Sequence, residues 1–333
     1  MRTEEFNGHI ITYPDEWCFA FNPNIVTVDN LTDNVIFQIG DNTDQREPIN
    51  GIVSIDISEY LRAFMKVTPE SMPDHYSVYL NITIGGLTFS SIIKPIWGAM
   101  NIGEVFNPSR TVTMFRKFPF SITTFVGTNS AVYYRYDNYD YVSTPVSSGL
   151  RHWDFSALFK NAVSYGMIKI LNSPESPSTF QYTFDRTFRP VSDDAVYIKV
   201  LFNDCDKGIY LRWLDRHGFL QYWLFQEGEL TGQSSNEGEK LNVDYSDVKY
   251  AYNGMYRYQG KTFQTTKKAC ATLVDKETFN MLSSIHSSPL VDMYIDEKWI
   301  PVNIVAGAFT DEGSDLQDFE IQITMPETIT QIL

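Results

Sequence analysis

Residues 78 to 93 read VYLNITIGGLTFSSII, with polar and apolar side chains alternating on either side of Gly85-Gly86. Two adjacent glycines can both take positive φ, which a tight two-residue hairpin turn requires, so the stretch predicts two antiparallel strands with one face buried. Short runs of the same kind, rich in β-branched and aromatic residues and broken by Gly, Asn, Asp and Pro, recur along the whole chain. It also carries 20 Tyr and 23 Phe, residues that suit a pleated, half-buried surface. The expected fold class is therefore mainly β: tandem β-sandwich units with a few short helices.

Three helices are expected. Asp56 or Ser58 can cap EYLRAFM, Asp154 or Ser156 can cap ALFKNAV, and Asp275 can cap a helix whose Phe279, Leu282 and Ile285 or His286 share a face. The first two signals superimpose at an offset of 98 residues, IVSIDISEYLRAF (52–64) lying over LRHWDFSALFKNA (150–162). Three further segments match in the same order: 21–28 with 120–126, 34–40 with 131–137, and 88–96 with 182–191. This ordering predicts a duplicated unit. The boundaries read as a first β-sandwich over 1–110, a second over 111–193, and a C-terminal β-rich domain with one helix over 196–333. Pro95 and Pro190, lacking a ladder donor, are expected to end the last strand of each copy. In the third unit TGQSSNEGEK (231–240) reads as a polar loop.

A formal charge of −15, from 41 acidic and 26 basic residues, argues against a surface that grips nucleic acid, since that binding depends on pairing phosphates with Lys and Arg. No stretch approaches the eighteen or so apolar residues of a membrane helix, and MRTEEFNGHI lacks the basic start and apolar core of a secretory signal. The expectation is a soluble chain, neither exported by a signal peptide nor inserted in a membrane. Cys18, Cys205 and Cys270 have no CxxC or Cys/His spacing, so they read as buried free thiols, with no disulfide framework and no metal site.

Chemistry-bearing patterns are sparse. The five histidines are scattered, and no HExxH, GxSxG, P-loop or dinucleotide fingerprint occurs. Asp215-Arg216-His217-Gly218 sits between two apolar runs. Asp suits the first position of a type I turn and Gly the left-handed position that closes it, which leaves Arg216 and His217 at an exposed hairpin tip. The pairs Asp41/Asp44, Asp137/Asp140, Asp193/Asp194 and Asp204/Asp206 read as solvated turns, and GDNTDQRE lacks the Gly and distal Glu of a calcium loop. One segment, AVYYRYDNYDYVSTPV (131–146), is a ligand or interface candidate: Tyr133, Tyr134, Tyr136, Tyr139 and Tyr141 can offer flat rings with hydroxyl edges to a sugar or a protein. No cofactor and no catalytic residue is indicated.

The C-terminal third, from GIYLRWLDRHGFLQYWLF (208–225) through the helix bearing Leu282 to SSPLVDMYIDEKWIPVNIVAGAFTDEGSDLQDFEIQITMPE (287–327), resembles structural proteins from the tail-gene clusters of phages and prophages of Bacteroides-type gut bacteria. More distantly it is similar to distal tail and baseplate-hub proteins, in its helix, its Trp-x-Pro-Val strand (Trp299 to Val302), a variable loop and a final strand. The resemblance does not extend to the duplicated N-terminal part. It implies a non-enzymatic virion component of the tail tip, baseplate or connector, whose partners are copies of itself in a ring-type homo-oligomer and other tail proteins. The alternative is a carbohydrate-binding or adhesin module that presents the tyrosine segment to a host-surface glycan. A glycan-degrading enzyme with a carboxylate pair is the remaining class.

Overall fold

The computed structural model describes residues 1–67, 76–104, 106–126, 131–136, 139–143, 148–154, 159, 166–171, 195–242, 256–307 and 309–326; at 131, 133–136, 139–143, 167, 169–171, 195 and 242 it fixes the backbone only. The chain is mainly β, as the alternation predicted, with helices at Ser58–Phe64 and Lys276–Ser283 and a 3-10 turn at Ser284–Ser287; the helix expected at 157–163 lies, apart from Phe159, outside the described residues. It forms two compact units: Met1–Asp206 with Leu214–Tyr222, and Lys207–Trp213 with Trp223–Leu333. Both expected N-terminal sandwiches, 1–110 and 111–193, fall in the first unit. The expected C-terminal domain is divided, with its hairpin tip counted in the first.

The first unit contains one topology twice. In the first copy a five-stranded sheet runs in the order Trp17–Phe19, Leu87–Ile96, Val78–Ile84, Val35–Ile39, Asn42–Arg46; in the second the order is Arg110–Phe115, Ala195–Asn203, Gly166–Leu171, Ala131–Tyr136, Tyr139–Ser143. In both sheets the first pair is parallel and the next three are antiparallel. A smaller sheet repeats as well: Ile25–Asp29 pairs with Val53–Asp56, and Ser121–Val126 pairs with Gly149–Asp154. The duplication read from the sequence is a duplication of strand order and strand sense. One segment match changes. The place of Leu87–Ile96 is taken in the second copy by Ala195–Asn203, not by 182–191, which lies outside the described residues. Pairing with a parallel neighbour, Arg110–Phe115, sets that position, and turn-ending prolines do not reveal it.

In the first copy the small sheet gains an N-terminal hairpin, giving the order Arg2–Phe6, His9–Tyr13, Ile25–Asp29, Val53–Asp56. This sheet and the five-stranded one share a core that includes Ile11, Val26, Phe37, Leu80 and Ile93, all fully buried, so the copy is a β-sandwich. The helix Ser58–Phe64 covers it with Leu61. Capping differs from the expectation, because Ile57 is the N-cap and no side chain caps it. The Asp56 carboxylate instead accepts from the Ser58 amide (2.9 Å) and from the Asn24 amide (3.1 Å), joining helix start to strand start. Gly85 and Gly86 both have positive φ, 55° and 84°, and Ile84 pairs with Leu87, so the predicted two-residue turn is present.

The second unit is built on a seven-stranded sheet ordered Lys298–Pro301, Val291–Ile295, Ile209–Leu214, Leu220–Asn242, Tyr256–Asp275, Leu316–Thr324, Asn303–Ile304. The helix Lys276–Ser283 packs Phe279 and Leu282 into a core with Trp213, Phe225, Phe319 and Ile321. Its expected cap is present: the Asp275 carboxylate accepts from the Thr278 amide at 2.8 Å. Within the sheet Arg212 lies opposite Asp292, donating to it from Nε at 2.9 Å with both side chains buried, and stacks over the Trp299 ring at 4.3 Å.

Candidate assembly surface

The hairpin tip Leu214–Tyr222 is a joint within the first unit. The Gly218 amide donates to the Asp215 carbonyl (3.0 Å), the Asp215 amide to the Phe219 carbonyl (2.8 Å), and Gly218 has φ +84°, the turn and left-handed closure read from Asp-Arg-His-Gly. The expectation of a solvent-exposed tip is corrected, since Gly218 and Phe219 are buried and only Arg216 is largely exposed. The Asp215 carboxylate accepts from the amides of His217 and Phe219 (2.9 Å each) and from the Gln221 side chain (2.7 Å). Burial pushes this carboxyl above its usual range, against the lowering effect of those donors. His217 faces Glu104 at 3.4 Å among the rings of Phe19, Phe106 and Phe219, and Arg216 pairs with the same glutamate. The Asn101 amide, then His217 and Arg216, hold the Glu104 carboxyl below its usual range. The Asp215 carboxylate thus serves its own turn, and the His217 ring lies against Glu104 and three aromatic rings.

Other candidates separate in space. Asp44 pairs with Arg46 at 2.8 Å and accepts from the Tyr60 hydroxyl at 3.0 Å; Arg46 is the main reason its carboxyl lies below the usual range. Asp204 lies 3.5 Å from Arg116. Asp137, Asp193 and Asp194 lie outside the described residues, as does the side chain of Asp140. Among the described residues no three His, Cys, Asp or Glu side chains converge as metal ligands, and no helix is long and apolar enough to cross a membrane. Cys18 and Cys270 are half-buried, Cys18 against the apolar core of the first copy, and Cys205 is exposed, a correction to the reading of three buried thiols. A groove of ≈ 320 Å³ beside Trp17, Cys18 and Met100 has its amides already committed: Asn22 donates to the Met100 carbonyl (2.7 Å) and accepts from the Met100 amide (2.8 Å).

The tyrosine segment forms the hairpin Ala131–Tyr136 and Tyr139–Ser143, pairing Tyr134 with Tyr141, Tyr136 with Tyr139, and Tyr133 with Val142. Residues directly opposite in a ladder share a face, and residues one apart do not. Tyr134 also pairs with Ile168, which is fully buried like Val132. The register therefore sets Tyr134, Tyr136, Tyr139 and Tyr141 at positions on the face that buries Val132 and Ile168, and Tyr133 on the other. The five do not form one face; their side chains lie outside the described residues.

The feature with no counterpart in the sequence reading is a long two-stranded ribbon. Leu220–Asn242 has 23 residues and Tyr256–Asp275 has 20, paired from Gln226↔Cys270 to Asn242↔Tyr256. The expected polar loop at 231–240 is instead strand. Among the described residues Leu220–Asn242 has on one side only Ile209–Leu214, six residues long; on the other, the ladder of Tyr256–Asp275 with Leu316–Thr324 ends at Thr266↔Thr324. From Leu230 to Asn242 the ribbon spans about 40 Å at roughly 3.3 Å per residue. Every side chain from Gln226 to Leu241 is exposed, including Leu230 and Leu241, and on the second strand Tyr256 and Phe263 are exposed.

Two devices stiffen this ribbon. Lys240 lies over the Tyr256 ring at 4.4 Å, and Phe263 covers Gly232 so closely that a Cβ there would sit 2.9 Å from the ring. Neither supplies a core. An isolated two-stranded hairpin is marginal in water, and an open strand edge offers unpaired N–H and C=O groups to any chain that can add a strand. No protein-family model matches this sequence, and no curated protein is detectably similar to it.

Proposed function

We propose that this protein is a non-catalytic building block of a larger particle, joined to its neighbours through strand edges. The observation that carries the reading is the ribbon of 226–242 and 256–270. It is long, exposed and open at both edges among the described residues, a geometry that association would complete. The particle we propose is a phage or prophage tail, at its tip, baseplate or connector; this part rests on the C-terminal resemblance. The −15 charge suits such a place, because a component beside a DNA channel works better when it does not bind phosphate. The glycan-binding alternative would need the tyrosines on one accessible face, and the register of 131–143 puts four of the five at positions on the face that buries Val132 and Ile168.

Replacing residues 231–266 by Asn-Gly removes the ribbon and keeps the sheet. Sedimentation velocity is expected to show the intact protein as an oligomer and the shortened one as a monomer with a similar melting temperature. A wild-type protein that stays monomeric at all accessible concentrations overturns the assembly reading. For the particle, antibodies against this chain are expected to label phage tails in electron micrographs, and purified particles that lack the chain by mass spectrometry overturn the tail assignment.

A further inference from the structure

The five-stranded sheet of the first copy buries every second residue of its central strands, Phe37, Leu80 and Ile93 among them, against the core. The residues between stand on the opposite face. The ladders set Gln38, Asn81 and Ser90 in one row of that face, Thr83 beside Thr88 in a second, and Tyr79 beside Ile92 in a third. On the strands Val35–Ile39, Asn42–Arg46 and Val78–Ile84, and on Leu87–Ile96 as far as Ile92, the outward positions carry no charged side chain, in a chain of formal charge −15. The next outward residue, Lys94, is paired with Glu16 at 2.6 Å. Tyr79 is 59% exposed and Ile92 is exposed beside it.

The polar groups of this face are ordered across strands. Ser90 Oγ donates to Asn81 Oδ1 (2.8 Å), Asn81 Nδ2 donates to Gln38 Oε1 (3.3 Å), and the Thr83 and Thr88 hydroxyls lie 2.9 Å apart. The relay fixes both amides and leaves the Gln38 nitrogen with no partner among the described residues. The second copy differs at this place. Its sheet has the same strand order, yet the face opposite buried Val132, Ile168 and Ile198 has Arg135, Asp140, Lys169 and Lys199 at its positions. An uncharged face is therefore a property of the first copy, not of the fold.

We propose that this face binds an uncharged oligosaccharide, a function separate from assembly through the ribbon. Sugar hydroxyls both donate and accept hydrogen bonds, and so do the Ser, Thr, Asn and Gln side chains that line the rows. The Tyr79 ring, with Ile92 beside it, gives the C–H face of a sugar ring a flat apolar surface. Charge selects against other occupants: an acidic polymer would meet a strongly acidic chain at a face without a free cation, and a basic one would find no carboxylate. Size selects against a second copy. Three strand spacings by the four residues from Thr88 to Ile92 make a platform of roughly 14 Å by 14 Å. That is about 200 Å², against about 800 Å² a side in a stable protein interface. A few linked sugar rings fit it.

The test uses the full-length protein in affinity gel electrophoresis with three neutral polysaccharides, a β-glucan, a mannan and a xylan, and polygalacturonate as the acidic control. At least one of the neutral three is expected to retard the protein, and polygalacturonate is not. With oligosaccharides of that polymer in titration calorimetry, Tyr79→Ala and Asn81→Ala are each expected to raise Kd at least about tenfold. Tyr79→Phe, which keeps the ring, and Lys169→Ala, on the second copy, should bind like wild type. Should Asn81→Ala lower the melting temperature, Gln38→Glu, an exposed change of nearly the same shape, takes its place with the same expected loss. Retardation by none of the neutral polymers, or by polygalacturonate alone, overturns the proposal, as does binding that survives both Tyr79→Ala and Gln38→Glu. Each of these leaves the assembly reading standing, since the ribbon deletion tests that separately. A Tyr79→Ala protein that loses self-association instead marks the face as a contact between copies and overturns the proposal too.

Discussion

Gly98 and Gly218 face each other's chain segments at a distance only glycine allows. A Cβ on Gly98 would stand 2.6 Å from the Arg216 carbonyl oxygen, and one on Gly218 2.7 Å from that of Trp97, with Gly218 also at φ +84°. Gly98→Ala must push two backbones apart, and Gly218→Ala adds left-handed strain of about 1–2 kcal/mol. Each is expected to destabilise the first unit by at least about 2 kcal/mol in chemical denaturation, as such strained close approaches do; a loss under about 0.5 kcal/mol would show that the joint yields. Thiol reactivity tests burial at the same scale. The Cys18 thiol is pushed up to about 12 by burial, whereas Cys205 is exposed. An aromatic disulfide reagent at pH 8 should therefore modify Cys205 quickly and Cys18 only on unfolding. The sequence made the Asp215 turn legible, because Asx-turn chemistry is local. It could not show what packs on the turn, because Glu104 and Trp97 lie more than a hundred residues away.

At the scale of elements, strands with one buried face were readable and strands with none were not. Val78–Ile84 alternates buried and exposed positions, and its sequence alternates with it. Residues 231–240 are exposed throughout, so nothing selects an apolar partner at every second position, and Gly, Ser and Asn make a strand that reads as a loop. The turn Asp296-Glu297 lies at the polar DEK (296–298) that separates VDMYI from WIPVNIV, and is legible in the sequence as a break between two strands. It joins Val291–Ile295 to Lys298–Pro301 with both residues at positive φ, 48° and 61°, a two-residue turn without its usual glycine. Replacing the pair with Asn-Gly is expected to stabilise the second unit by about 1 kcal/mol in thermal unfolding; no gain would mean that other contacts hold the turn. His286 offers a pH test in the same unit. Its ring stacks on Phe309 at 5.2 Å, Nε2 is buried without a hydrogen-bond partner among the described residues, and burial holds the imidazole below its ordinary value. A depressed folded value makes stability complete above the unfolded value of about 6.5 and lost as pH falls through the folded one. His286→Leu should flatten the stability profile below neutral pH; a profile that keeps its slope assigns that slope to other groups.

For the whole molecule, the repeat was legible through a single shared idea, strand then Asp-x-Ser then helix, and the structure extends it to two small sheets and two five-stranded sheets of matching order. The unit boundaries were harder to read, since what decides them is discontinuous in sequence. Leu214–Tyr222 belongs to the first unit although the two segments of the second, Lys207–Trp213 and Trp223–Leu333, flank it in the chain. Phe219 completes a cluster with Ile96 and Leu150, against which Trp17, Phe19, Phe106 and Phe125 pack, and Leu220 donates its amide to Thr123 Oγ1 at 3.1 Å. A fragment ending at Asp206 therefore keeps both repeats but loses the residues that close this cluster. Burying a side chain the size of Phe219 stabilises by about 1.5–3 kcal/mol, and the tip also brings the Asp215 turn and the Glu104 pairs, so the fragment is expected to melt well below the intact chain and to bind a hydrophobic dye. Adding a synthetic peptide of residues 209–225 should raise its melting temperature, and the same peptide with Phe219→Ala and Gly218→Ala should not. A fragment 1–206 as stable as the first unit of the full chain, with no response to the peptide, would mean that the repeats alone make the fold and that the tip merely rests on it.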